Sequence, residues 1–234
     1  MTLVCGADGC RAGWVAALLD LESAQLSCEV FPTFRDLAHQ KPAPTVIALD
    51  VPIGLPDLGP RVCDTEARRM LGARRASSVF PAPIRPILAA SSYPEASSLR
   101  RDLEGKGLSV QAWAIVPKVR EVDTLLRDDA TLRRRIREVH PELCFYYLAG
   151  NSAMSEGKKT QAGRSQRRSL LEAQFGDPFS LLLARKRTRG CAPDDVVDAF
   201  VALWTARRIA HGQAVTIPAA PPRDRFDLPM EMVA

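Results

Sequence analysis

The sequence predicts an α/β protein in which one mixed β-sheet is flanked by helices. Residues 45–49 read Thr-Val-Ile-Ala-Leu, and an unbroken run of this kind is typical of a strand buried on both faces. Three further segments that resemble strands precede it, at residues 2–7, 14–19 and 26–34. Residues 193–206 form the strongest predicted helix, with acids in its first turn as the helix dipole favours.

The first three predicted strands form a meander. Gly9 and Gly13 lie between the first two strands and favour a hairpin, for which Asp8-Gly9 is a common turn pair. Residues 34–40 fit a short helix, and residues 41–44 link it to the central strand. Because the chain crosses over through this helix, we expect the central strand to pair parallel to the first strand.

The second half of the chain is predicted to be mainly helical. Residues 57–132 form an expected helical insertion between the fourth and fifth strands, positioned to cover a crevice, and its first helix spans residues 57–79. A short fifth strand is expected within residues 133–140, and an amphipathic helix over residues 170–187. Residues 216–234 contain four prolines and are expected to form an irregular tail. We treat residues 1–234 as a single domain.

The composition is that of a globular protein, with 46% hydrophobic and 25% charged residues in a chain of 234. No apolar run is long enough to span a membrane, and the N-terminus lacks the basic start of a signal peptide. We therefore expect a cytoplasmic protein without a membrane partner. The six cysteines form no CxxC pair and the three histidines stand far apart, which argues against a structural zinc site or a disulfide framework.

Positive charge is concentrated in one segment. Residues 118–189 hold 16 Lys and Arg against 9 Asp and Glu, whereas the whole chain has a net charge of +5. A basic segment beside an acidic remainder points to a polyanionic partner. Arginine enrichment from a GC-rich genome is an alternative explanation that stays open.

Acidic residues lie at the ends of several predicted elements. Asp50 ends the central strand, where open α/β sheets keep their ligand crevice, and Asp8 ends the first strand. Glu142 follows the fifth strand, and Asp195 and Asp198 share one face of the last helix. Turn formation would also explain Asp8 and Asp50. A strand–helix junction would explain Glu142, and the favourable first helical turn would explain Asp195.

Asp198 is the acid that a purely structural role explains least well. It lies between Val197 and Ala199 in a helix otherwise rich in apolar residues, so we expect it to be partly buried. A buried carboxylate needs a partner or a metal. Carboxylates that converge repel one another, and a hard divalent cation removes that repulsion. Two such ions about 3.5–4 Å apart can clamp the attacking water and the leaving oxygen of a phosphodiester.

The order and spacing of these acids resemble the RNase H-like superfamily, whose acids lie on the first strand, the fourth strand and the last helix. The pair Asp195 and Asp198 resembles the last helix of Holliday-junction resolvases in that superfamily. More closely, the chain resembles a family of predicted RNase H-like nucleases, domain of unknown function family 429, over nearly its whole length. The segments that carry this likeness are Gly6–Trp14, Leu49–Pro56, Ser78–Pro83, His140–Glu142 and Asp194–Ala199. The resemblance implies a five-stranded sheet of order 3-2-1-4-5.

The resemblance also implies a metal-dependent nuclease. Its catalytic carboxylates would be Asp8, Asp50, Glu142 and Asp198, which would bind Mg²⁺ or Mn²⁺ with Asp195 as an extra ligand. Phosphates of a nucleic-acid partner would meet five basic residues, namely Arg11, Lys118, Arg164, Arg167 and Arg168. The last three are expected to share one helical face. Residues 158–168 and 77–83 are expected to border the same crevice.

Two other classes of function are kept as alternatives. One is a small phosphotransferase, because sugar kinases share this fold and use an Asp-Gly hairpin for nucleotide phosphates. The chain is short for a two-domain kinase, however, and lacks a second glycine-rich phosphate loop. The other is a non-catalytic module that binds nucleic acid or protein on a decayed nuclease fold. A homodimer is left open as the assembly.

Overall fold

The computed structural model describes residues 2–184 and 190–234. A five-stranded mixed sheet in the order β3-β2-β1-β4-β5 forms its centre, which confirms the predicted order. Strand β1 pairs antiparallel with β2 and parallel with β4, so the predicted meander and crossover are both present. The strands are β1 Leu3–Cys10, β2 Gly13–Asp20, β3 Leu26–Phe31, β4 Val46–Leu49 and β5 Ile136–Glu138, with two short strands β6 Thr216–Ile217 and β7 Met232–Val233 near the C-terminus.

Helices cover both faces of the sheet. Along the described chain the α-helices are α1 Phe34–Ala38, α2 Val62–Arg75, α3 Tyr93–Glu104, α4 Val110–Asp128, α5 Ala130–Arg135, α6 Pro141–Leu148, α7 Gln161–Ala184 and α8 Pro193–Ala210. Strand side chains alternate between two apolar clusters. Cys5, Ala7 and Leu49 pack with α1 and α4, whereas Val4 and Ala48 pack with α6, α7 and α8. None of the described helices is both long and apolar enough to cross a membrane.

The expected turn at Asp8-Gly9 is wrong. Strand β1 continues to Cys10, and Asp8 pairs with Val15 inside the ladder. The hairpin turn falls two residues later, before Gly13. Gly13 has a φ of +132°, and a Cβ there would lie 2.1 Å from the carbonyl oxygen of Phe31, so glycine is required at this position. Asp8 is therefore a strand residue, and turn formation does not explain why an acid stands at this position.

The helical insertion lies between β4 and β5, as predicted, but its edges differ. The first helix begins at Val62 rather than at residue 57. The fifth strand is limited to Ile136–Glu138 because the preceding arginines complete helix α5. Arg133 illustrates the reason, since its Nε donates to the carbonyl oxygen of Leu126 at 2.6 Å and closes the α4–α5 junction.

The C-terminal tail is more regular than expected. Strands β6 and β7 pair antiparallel, and beyond their ends the amide of Val215 donates to the carbonyl oxygen of Ala234 at 2.6 Å. Ile217 and Met232 are buried in an apolar cluster with α2 and α6. Between these strands, Asp224 accepts a hydrogen bond from the amide of Leu55 at 3.0 Å. The tail therefore packs on the segment that follows β4, and Pro218 directly follows the short strand β6.

Candidate metal centre

Three acids predicted from the sequence meet in one place. Asp8, Asp50 and Asp198 each offer a carboxylate oxygen, and these three atoms lie within 4.8 Å of one another. Asp198 is buried, and Asp8 and Asp50 are partly buried. The expectation that these three carboxyl groups share one metal-sized site is confirmed.

The sheet places Asp8 and Asp50 side by side. Asp50 follows the end of β4, and its amide donates to the carbonyl oxygen of Ala7 at 3.0 Å, which extends the parallel ladder by one residue. Because side chains alternate along a strand, Asp8 points to the same face as Val4, and Asp50 to the same face as Ala48. Both carboxylates therefore face helix α8.

Helix α8 reaches these carboxylates because Gly6 has no side chain. A Cβ at Gly6 would lie 1.9 Å from the amide nitrogen of Leu203 and 2.3 Å from the carbonyl oxygen of Ala199. The helix backbone thus rests directly on β1, and the preceding turn carries Asp198 toward Asp8. The close approach of α8 to β1 therefore depends on the missing side chain of Gly6. It does not depend on a left-handed backbone conformation at this residue.

The three carboxylates are difficult to ionise together. Burial, then repulsion from Asp50 and Asp198, raises the pKa of Asp8 well above its ordinary value. Burial, then repulsion from Asp198, raises the pKa of Asp50 to about 8. Burial also raises the pKa of Asp198. Positive charge placed between these oxygens would favour the ionised forms.

One positive charge is already present. Lys158 Nζ donates to Asp198 Oδ2 at 2.8 Å, and its side chain remains 45% exposed. Burial would lower the pKa of this ammonium, but the carboxylates of Asp198, Asp50 and Asp8 outweigh that effect and raise it. The basic character of residues 158–168 was apparent in the sequence. No spacing rule connects position 158 with position 198, so its place in this cluster was missed.

The other two predicted ligands line the same crevice outside the cluster of three. Asp195 Oδ2 accepts a hydrogen bond from the amide of Ala192 at 2.8 Å and so caps helix α8. Glu142 is buried in α6, and its Oε1 is bound by Arg167. Its Oε2 is buried and has no hydrogen-bond partner within the described chain.

The expectation that Arg164, Arg167 and Arg168 border the crevice is wrong. Arg167 is only 1% exposed, and it donates to Glu142 Oε1 at 2.5 Å and to two main-chain carbonyls. Arg164 and Arg168 are exposed but lie outside the crevice lining, as does exposed Arg11. The reason is that Gly163, Arg167 and Leu171 form the buried side of α7, whereas Arg164 and Arg168 flank that side and remain in solvent.

The crevice above the three carboxylates has a volume of about 900 Å³. Residues 77, 78 and 80 border it together with Lys158, so that part of the expectation is confirmed. Its wall contains five Lys and Arg residues, namely buried Arg61 together with Arg75, Lys118, Lys158 and Lys159. Lys118 is held in place, since its Nζ donates to the carbonyl oxygen of Gly13 at 2.7 Å and lies 4.4 Å from the centre of the Trp14 ring.

A buried ion-pair network supports the loop after Asp50, and sequence reasoning missed it. Arg61 binds Glu138 through two hydrogen bonds of 2.6 and 2.7 Å, and it also contacts Asp64 at 2.6 Å. The amide of Ile53 donates to Glu138 Oε2 at 2.5 Å. Burial raises the pKa of Glu138 to about 7 against the opposing effect of Arg61. This network therefore holds in place the backbone of the residues that follow Asp50.

Comparison with known proteins identifies the family without assigning an activity. The sequence profile of a protein family of unknown function (DUF429) matches residues 6–223, which include all three clustered acids. Neither the curated proteins nor the solved structures gave a match. Since the match covers nearly the whole chain, the protein belongs to the DUF429 family.

Proposed function

We propose that this protein is a metal-dependent nuclease of RNase H-like type, which hydrolyses phosphodiester bonds in nucleic acid. The observation that carries the proposal is the cluster of Asp8, Asp50 and Asp198 oxygens within 4.8 Å. A crevice whose wall includes Arg75, Lys118, Lys158 and Lys159 lies directly above this cluster. The sheet order and the positions of the acids on β1, after β4 and on α8 support the RNase H-like assignment. We also propose a cytoplasmic location.

The donor set suits Mg²⁺ or Mn²⁺, because both ions prefer hard oxygen ligands. In the described part of the chain the carboxylates of Asp8 and Asp50 accept no hydrogen bond, so their lone pairs are free for a cation. When bound, such an ion polarises a phosphoryl oxygen and lowers the pKa of a coordinated water.

The residues around the centre would orient the substrate. Arg75, Lys118 and Lys159 line the crevice and would hold the phosphates on either side of the scissile bond. The free Oε2 of Glu142 would orient a water or complete a second ion site, and Asp195 would supply a further oxygen.

An activity screen tests this proposal. Single-stranded, duplex, hybrid and branched nucleic acids would be incubated with the protein and Mg²⁺ or Mn²⁺, and cleavage would be followed on denaturing gels. We expect cleavage that EDTA abolishes and that Asp8→Asn or Asp198→Asn reduces at least about 100-fold. Asp102→Asn is the matched control, because Asp102 is an exposed residue of α3 outside the crevice lining. Cleavage that survives both EDTA and Asp8→Asn would contradict the proposal.

A further inference from the structure

Lys158 occupies a special position among the basic residues of the crevice. Its Nζ lies 2.8 Å from Asp198 Oδ2. Within residues 2–184 and 190–234, no other Lys or Arg forms a salt bridge with Asp8, Asp50 or Asp198. One ammonium therefore supplies the positive charge of the cluster in the metal-free protein.

The backbone that carries Lys158 is firmly held. The carbonyl oxygen of Glu156 accepts a hydrogen bond from Arg167 Nη1 at 3.0 Å, and that of Gly157 accepts one from the amide of Thr160 at 3.0 Å. A Cβ at Gly163 would lie 2.0 Å from the same Gly157 oxygen, so α7 packs tightly against this segment. Any displacement of the ammonium must therefore come from the Lys158 side chain.

The Lys158 side chain is exposed and flexible enough to move in this way. It is 45% exposed, whereas the Asp198 side chain is 5% exposed. Four flexible methylene groups let the ammonium swing into the crevice with its hydration largely kept. Lys118 differs in this respect, because its Nζ is tied to the Gly13 carbonyl and to the Trp14 ring.

We propose that Lys158 is an exchangeable counter-ion, which neutralises Asp198 in the metal-free protein and moves onto a substrate phosphate when a divalent cation binds the three carboxylates. This inference rests on the proposed function, because it requires a metal at the carboxylates. It adds a positioning residue that couples the binding of metal to the binding of a phosphodiester.

Electrostatics gives the direction of each step. A divalent cation at Asp198 Oδ2 would lie close to the ammonium, and the two positive charges repel. The ammonium must leave, so Lys158 lowers the affinity of the site for metal. Arg75 and Lys159 line the same crevice as Lys158. A phosphate bound there would give the displaced ammonium a new partner. Metal binding therefore frees a cation for the substrate.

Calorimetric titration with Mn²⁺ tests the first half of the proposal without measuring activity. We expect Lys158→Met to bind Mn²⁺ about tenfold more tightly than the unchanged protein, because the competing charge is gone. Lys158→Gln should show the same increase in Mn²⁺ affinity. Agreement between the two variants would exclude a folding defect in one of them as the cause. Lys159→Met removes a neighbouring crevice charge that has no salt bridge to the three acids, and it should change the affinity much less.

A labelled single-stranded oligonucleotide tests the second half, with Ca²⁺ as a cation that supports binding with little cleavage. Ca²⁺ should increase the affinity of the unchanged protein for the oligonucleotide. The same addition should increase the affinity of Lys158→Met by a factor that is about threefold smaller or less. An equal gain in both proteins would overturn the transfer of Lys158 to phosphate.

The outcomes of the titration separate this inference from the proposed function. Equal or weaker Mn²⁺ binding by both Lys158 variants, with Asp50→Asn abolishing binding, would overturn the role of Lys158 and leave the metal site standing. Absence of Mn²⁺ binding in the unchanged protein and in both Lys158 variants would overturn the metal site itself.

Discussion

Arg167 Nη2 donates to Glu142 Oε1 at 2.5 Å, and both side chains are buried. This ion pair joins α7 to the first turn of α6, beside the crevice. Removing one partner leaves an uncompensated buried charge, which typically costs about 3–5 kcal/mol. We therefore expect Arg167→Met to lower the free energy of unfolding by that amount, as measured by urea denaturation.

Two further variants serve as controls for this prediction. Arg164→Met changes an exposed residue of the same helix and should alter the free energy of unfolding by no more than about 0.5 kcal/mol. The double variant Glu142→Leu with Arg167→Met removes both charges and should recover much of the lost stability. A single variant as stable as the unchanged protein would show that the pair is not buried in solution.

Asp50→Asn should abolish divalent binding and leave the fold intact. Asn is close to isosteric with Asp but lacks the anionic oxygen that Mg²⁺ and Mn²⁺ require. Mn²⁺ titration by calorimetry would measure the loss, with Asp102→Asn as the matched exposed control. If Asp50 only ends the strand, Asn would serve nearly as well, and the titration would be unchanged.

The metal-free protein should lose stability as the pH rises. Burial, then repulsion from Asp198, raises the pKa of Asp50 from 3.8 to about 8, so the folded state holds more protons than the unfolded state between these values. The free energy of unfolding then falls across this window and levels off above it. Urea denaturation in EDTA at pH 5, 6.5 and 8 would measure the decline. Asp50→Asn should make it shallower, and an equally steep decline in that variant would contradict the assignment to Asp50.

Gly6→Ala should impair both the fold and the metal site. The new Cβ would overlap the α8 backbone at Leu203 and Ala199, so the helix must move away from β1. We expect a loss of about 1–3 kcal/mol or more in the free energy of unfolding, together with weaker Mn²⁺ binding. Gly9→Ala in the same strand is the control, because its Cβ would meet only the flexible Lys118 side chain at 3.5 Å. Equal effects of both variants would contradict the role of close helix packing.

Salt dependence distinguishes the crevice cations from the surface arginines. Arg75→Ala and Lys159→Ala should each reduce the slope of log K against log salt by about 0.7–0.9 for nucleic-acid binding, which is the value for one lost phosphate contact. The double variant Arg164→Ala with Arg168→Ala should leave the slope nearly unchanged, since both residues lie outside the crevice lining. The opposite pattern, measured by fluorescence anisotropy, would place the nucleic acid on the outer face of α7.

The sequence by itself determined the parts of the protein that follow from local pattern. An unbroken apolar run ending in an acid predicted β4 and the position of Asp50, because a strand buried on both faces must be apolar throughout. Apolar segments separated by Gly9 and Gly13 predicted the start of the meander. The place of Asp198 in an apolar helix, together with the family resemblance, predicted its approach to Asp8 and Asp50.

Only the tertiary structure decided which charged groups meet. Helical spacing placed Arg164, Arg167 and Arg168 near one another, but the packing of α7 buried Arg167 against Glu142 and left the other two outside. Likewise, Lys158 reaches Asp198 because α7 fixes the segment before it, a contact across 40 positions of sequence. Periodicity reports which side of an element is buried, whereas the partner of a charge depends on how separate elements pack.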